Sequence, residues 1–84
     1  MSALIPDQAR RAWADLSAVL LAVGPAPCES SPVPEAWWSD GRLQETARAG
    51  CRGCPARAEC LDYALTADER WGVWGATTPQ ERTA

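Results

Sequence analysis

The stretch that decides the fold is Cys51-Arg52-Gly53-Cys54-Pro55-Ala56-Arg57-Ala58-Glu59-Cys60. Its opening C-x2-C places two thiols on one tight turn, with turn amides free to donate to sulfur. Pro55 suits the first position of a helix, where a missing N–H costs nothing. A helix that begins near 55 turns Cys60 back toward the pair. A fourth cysteine, Cys28, lies upstream, so the whole pattern is C-x22-C-x2-C-x5-C. Four soft sulfur ligands suit Zn²⁺ or an iron–sulfur cluster.

Spacing leaves three chemistries open. Structural zinc sites usually join two C-x2-4-C knuckles on short loops. Only one such pair is present here, and the other two cysteines are spread over a helix and a distant connection. A cluster is larger than one ion and tolerates that spread better. The third option is a redox dithiol, because a C-x-x-C-P turn opening a helix lowers a thiol pKa. Against it, Gly50 precedes Cys51 and no βαβ pattern surrounds the motif.

The rest of the composition tightens these limits. A chain of 84 residues makes one small domain, which buries only about 60–65% of its unfolded surface and needs a staple. There is no His, which excludes Ser-His-Asp and Cys-His catalysis, Cys2His2 fingers, Rieske centres and His-ligated haem. The 8 basic residues are all Arg, set against 11 acids for a net charge of −3, and the pI is about 4.7. A free-standing DNA binder carries a basic stripe instead, so DNA contact is expected only through a partner. With 5 Trp, 1 Tyr and no Phe, rigid contact area rests on indoles. The apolar run 16–23 is far shorter than the roughly 20 residues that span a bilayer. Arg10-Arg11 imitates a signal n-region, but Asp15 and the prolines flanking Cys28 do not suit secretion or lipidation. A cytoplasmic location is expected, where thiols stay reduced and point to metal chemistry.

Upstream, residues 6–23 read as a helix. Pro6 and Asp7 suit its first turn, Gly24 its stop and Pro25 the exit. Ala9, Ala12, Trp13, Leu16, Val19, Leu20 and Val23 form one apolar stripe at helical spacing. Residues 25–40 read as a Pro- and Ser-rich connection ending in Trp37-Trp38. A second helix is expected over about 41–49, with Ser39 or Asp40 as N-cap and Gly50 as its end. Ala56, Cys60, Leu61, Ala64 and Leu65 make the apolar side of the third. Trp71-Gly72-Val73-Trp74-Gly75 reads as a turn that can take positive φ. Thr78-Pro79-Gln80-Glu81 spells a capping box, the start of another helix.

The cysteine pattern followed by Gly72-Val73-Trp74-Gly75-Ala76 resembles the WhiB-like iron–sulfur transcription regulators of actinobacteria and their phages. Their pattern is C-xn-C-x2-C-x5-C and then Gly-(Val/Ile/Leu)-Trp-Gly-Gly. Pro34-Glu35-Ala36-Trp37-Trp38 is similar to their acidic-aromatic stretch, and the resemblance spans roughly 28–82. It implies an all-α fold, a small bundle of three to four short helices around the cluster. The cluster implied is usually 4Fe–4S, with 2Fe–2S as an oxidation product, ligated by Cys28, Cys51, Cys54 and Cys60. The implied partner is region 4 of the principal sigma factor within RNA polymerase. An enzymatic role is not expected, nor a membrane one. Absence of Lys and abundance of Ala fit a GC-rich genome.

Such a cluster is sensitive to oxidants and nitric oxide where solvent reaches it, and in so small a domain it is also the keystone. Trp37, Trp38, Gly72, Val73, Trp74 and Gly75 are the candidate partner-binding residues, while Trp13 and Trp71 are expected in the scaffold. Two departures from the family pattern matter. Ala76 stands where the pattern has Gly, a small change unless that position needs positive φ. The family's basic C-terminal helix is represented only by its capped start within 77–84, with Arg82 as its base, so a DNA contact is not carried over. The whole chain, 1–84, is then one domain: an N-terminal helix (6–23), a cluster-binding core with the Gly-Trp turn (25–76) and that helix start. The alternatives are a zinc-stabilised interaction module or a thiol-disulfide reductase using Cys51 and Cys54.

Overall fold

A computed structural model describes residues 5–39 and 41–83. The described chain is helical. Its elements are α1 (Arg10–Val23), α2 (Pro27–Ser30), α3 (Arg42–Arg52), α4 (Arg57–Thr66) and α5 (Pro79–Thr83), with 3-10 turns at Asp7–Ala9 and Pro34–Trp38. The only β-type pairing among the described residues is an isolated bridge between Trp74 and Thr77.

The first helix obeys its stripe for most of its length. Ala9, Ala12 and Leu16 are buried against Ala56 and Tyr63 of the α4 region, with Val19 and Leu20 partly buried beside them. Gly24 ends α1 at φ 85°, donating its N–H to the Leu20 carbonyl. Val23, expected in the stripe, is exposed at that end. The Pro-rich connection is more ordered than its composition suggests. Pro27 and Pro34 each sit at the first turn of a short helical element, where fixed φ lowers the cost of ordering. The Glu29 carboxylate accepts the Ala26 N–H at 2.9 Å.

Helix α3 departs from expectation at both ends. Its N-cap is Gly41 at φ 72°; the Ser39 hydroxyl instead donates to the Glu35 carbonyl at 2.7 Å, closing the turn behind it. Asp40, the other expected cap, lies outside the described residues. The helix also runs through Gly50 to Arg52, so Cys51 sits in its last turn. Gly50 serves close approach here rather than termination. A Cβ there would stand 3.1 Å from Cζ2 of Trp37. Helix α4 starts two residues later than expected, at Arg57. Its inward face is taken by Tyr63 and Ala64, while Leu65 is 55% exposed.

The interior consists of two small cores. One joins α1 to α4; the other gathers Ala36, Trp37, Ala47, Cys51, Val73 and Ala76 from the Pro34–Trp38 turn, α3 and the 71–77 segment. Both are built largely from alanine, and no large side chain is fully buried among the described residues.

A four-thiol site between two cores

The four cysteines come from both sides of that division. Cys51 belongs to one core, whereas Cys54 and Cys60 pack against the other. Cys28 rides on α2, which packs on α3 and the Pro34–Trp38 turn. The C-x2-C turn is closed by the Cys54 N–H donating to the Cys51 carbonyl at 3.0 Å, and Cys60 enters α4 with its N–H on the Ala56 carbonyl at 2.8 Å. All four are free thiols, and all four line one cavity of about 300 Å³. Its apolar walls include Leu16, Leu20, Trp37, Trp38 and Trp74. Among the described residues no three Cys, Asp or Glu side chains are close enough to hold a single metal ion. The thiols therefore surround a space rather than meet at a point.

Electrostatics in this space disfavour anions that lack a cation. Burial pushes the Cys60 thiol up to about 12, partly offset by the Gly75 backbone N–H and reinforced by Cys51, Cys28 and Cys54. Cys28 is an exposed residue, yet partial desolvation of its thiol raises it too, with Cys51, Glu29 and Cys54 adding to it. A polycationic centre would reverse this balance and hold four thiolates. The donor set therefore fits an iron–sulfur group: four sulfurs, an apolar wall and a cavity wider than one ion.

The donors that reach sulfur come mostly from elsewhere than the C-x2-C turn. The Trp37 indole N–H donates to Cys51 Sγ at 3.4 Å, and the Gly75 N–H acts on Cys60. The Gly-Trp segment is thus joined to the thiol site through backbone as well as through Trp74. Gly72 and Gly75 adopt φ of 81° and 55°, and Ala76 adopts 66°, so the position that departs from glycine does need positive φ. The Val73 N–H donates to the Trp37 carbonyl at 2.7 Å, and Trp74 and Thr77 exchange N–H bonds at 3.1 and 2.9 Å.

The aromatic residues divide differently from their sequence grouping. Trp37 is 6% exposed and its neighbour Trp38 is 65% exposed. Trp38 meets Trp74 edge-on at 6.2 Å, and Trp74 packs on Tyr63 at 5.4 Å. Trp13 is partly exposed and leans on Tyr63 at 5.1 Å. Trp71, expected in the scaffold, is 77% exposed; its carbonyl accepts from the Trp74 indole N–H at 2.9 Å and from the Arg82 guanidinium at 3.4 Å. Val73, Gly72 and Gly75 are buried.

Two residues organise this region in roles the sequence did not assign them, Tyr63 unremarked there and Arg82 named only as a base of the last helix. Tyr63 bridges Trp13 and Trp74 and donates its hydroxyl to Glu69 at 3.3 Å. Its place in the Ala56, Cys60, Tyr63, Ala67 spacing of α4 was a readable signal. Arg82 of α5 donates to the carbonyls of Glu69, Gly72 and Thr77, at 3.2, 2.8 and 2.8 Å, and to the Thr77 hydroxyl at 3.0 Å. Main-chain acceptors leave no mark in sequence. No described helix is long and apolar enough to cross a membrane.

Comparison with known proteins fits this arrangement. A family model described as transcription factor WhiB matches residues 24–84, a range that holds all four cysteines and the Gly-Trp turn. The transcriptional regulator WhiB2 of Mycobacterium tuberculosis is 46% identical over 50 residues, covering 58% of this chain and 56% of that protein. The transcriptional regulator WhiB of Streptomyces coelicolor is 42% identical over 50 residues, 58% of each. The chain thus spans little more than half the length of these two relatives. A WhiB2 of Bifidobacterium longum aligns more fully, at 28% identity over 88 residues, 98% of this chain and 89% of that protein. No solved structure matches the chain. With its family match extending from the end of α1 through the thiol site to α5, the chain belongs to the WhiB family of transcription regulators.

Proposed function

We propose that this regulator is an iron–sulfur protein that responds to oxidants or nitric oxide and acts by docking on region 4 of the principal sigma factor. One observation carries the reading: Cys28 of α2, Cys51 of one core and Cys54 and Cys60 beside the other line a single apolar cavity, with the exposed Trp38 and half-buried Trp74 in its wall. Cys28, Cys51, Cys54 and Cys60 are the residues that would hold the group. When bound, an iron–sulfur cluster supplies a redox-active, nitric-oxide-reactive centre, usually 4Fe–4S in this family, and a covalent tie between the cores.

The chain's own residues do the rest. Trp38 and Trp74, crossed edge-on, offer the rigid aromatic anchors on which interfaces concentrate their energy. Gly72, Val73 and Gly75 shape the turn that presents Trp74, and Trp37 backs it from inside through its carbonyl. A net charge of −3 complements a basic helix-turn-helix partner and steers its approach. The same charge disfavours an independent grip on DNA, and the guanidinium of Arg82 is occupied within the protein. Promoter DNA is therefore reached through the partner.

Anaerobically purified protein should be brown, with iron and acid-labile sulfide in comparable amounts. Trp74→Ala should keep that iron yet bind a sigma region 4 fragment about 25-fold more weakly, the roughly 2 kcal/mol of an aromatic anchor. A colourless protein with stoichiometric zinc rejects the cluster. Full iron with undiminished sigma binding rejects Trp74 as an anchor.

A further inference from the structure

We propose that Trp37 is a positioning residue of the thiol site, acting through Cys51 to favour the more reduced state of the bound cluster. This rests on the iron–sulfur reading above and adds to it a residue whose side chain faces inward. The Trp37 indole N–H donates to Cys51 Sγ at 3.4 Å, and both groups are buried. The room for it is built into the chain. Gly50, one residue before Cys51, carries no side chain, and a Cβ there would stand 3.1 Å from Trp37 Cζ2 and 3.3 Å from Cη2. The backbone of Trp37 is fixed as well, by the Val73 N–H on its carbonyl at 2.7 Å. A donor held this firmly pays little ordering entropy to point at sulfur.

The consequence follows from charge. Adding an electron to an iron–sulfur group raises the negative charge on its thiolates. A hydrogen bond to one of those sulfurs is then stronger in the reduced state, and hydrogen bonds to sulfur are a main lever on such potentials. Burial magnifies the difference, since the local dielectric is low. A phenyl ring in place of the indole would keep most of the packing and lose the donor. Trp38 next to it faces solvent and serves as the internal contrast.

The test compares Trp37→Phe with the wild type, both purified anaerobically and titrated with redox dyes in the visible range. The variant should hold as much iron and sulfide per chain. At a fixed ambient potential its oxidised-to-reduced ratio should rise about tenfold, a midpoint lowered by about 59 mV for a one-electron couple. Full iron with an unchanged or higher midpoint overturns the proposal. A second measurement needs no variant. The indole N–H of Trp37 in the wild-type protein should exchange with D₂O far more slowly than those of Trp38 and Trp71. Exchange as fast as theirs overturns the contact, and decides the matter if Trp37→Phe holds no iron. A wild type with zinc and no iron removes the cluster reading itself, and is recognised by metal content before any potential is measured.

Discussion

At the scale of the residue, two adjacent positions in the Gly-Trp turn should respond very unequally to one methyl group. Gly75 has φ 55°, and a Cβ there would lie 2.6 Å from Leu61 Cβ and 2.8 Å from the Arg57 carbonyl oxygen. Gly75→Ala adds left-handed strain and overpacking of α4, about 3 kcal/mol together. Ala76 already bears such strain at φ 66°. Ala76→Gly relieves roughly 1–2 kcal/mol, but loses about 0.8 kcal/mol of buried methyl and adds unfolded-state freedom. The expected melting point of Ala76→Gly is therefore near that of the wild type, while Gly75→Ala falls by more than about 10 °C. Equal shifts in thermal melts would show that the turn is not held against α4. The cysteine pattern and this turn were legible in sequence because both are local and dense in special residues. The split between Trp37 and Trp38 was not. Both lie in a 3-10 turn of five residues, too short for any period to show which side faces the core.

At the scale of the element, α5 is the part whose role changed most between sequence and structure. Its capping box was readable and is present: the Thr78 N–H donates to Glu81 Oε1 at 2.9 Å, and the Glu81 N–H to Thr78 Oγ1 at 3.3 Å. What the helix does with its next residue was not readable. Arg82 reaches back to the carbonyls of the turn and of Glu69, and Glu81 pairs with Arg48 of α3 at 3.2 Å. The helix thus straps the Cys51-bearing α3 to the Trp74 turn. Arg82→Ala should cost about 1–3 kcal/mol, the range for hydrogen bonds from a charged donor. Amide exchange at Trp74 and Thr77 should accelerate well beyond that in α1. Arg82→Lys should not restore it, because a single ammonium lacks the planar fork that serves several acceptors. Unchanged exchange in the turn, together with weakened DNA binding, would instead make Arg82 a nucleic-acid contact.

At the scale of the whole molecule, the question is what holds two alanine-rich cores to one another. Each alanine methyl contributes only about 0.8 kcal/mol on burial, and a chain this short has little surplus over conformational entropy. Cys51 belongs to one core and Cys54 and Cys60 pack against the other, so a group bound to all four thiols would join the cores directly. Left without a cation, Cys60, with its thiol pushed up to about 12, and Cys28, also raised, stay protonated and offer no bond across the gap. Removing iron with a chelator under reducing conditions should therefore abolish the cooperative thermal transition and lower far-ultraviolet ellipticity. Cys28→Ser and Cys54→Ser, which alter opposite sides of the site, should converge on the same loosened state. Either substitution alone breaks the tie, so the two should not be additive. An iron-free protein that still melts cooperatively, within about 5 °C of the loaded form, would mean a difference near 1 kcal/mol. In that event the cores hold themselves together, and the proposed loss of a cluster would have to act through the Trp38 and Trp74 surface rather than through the fold.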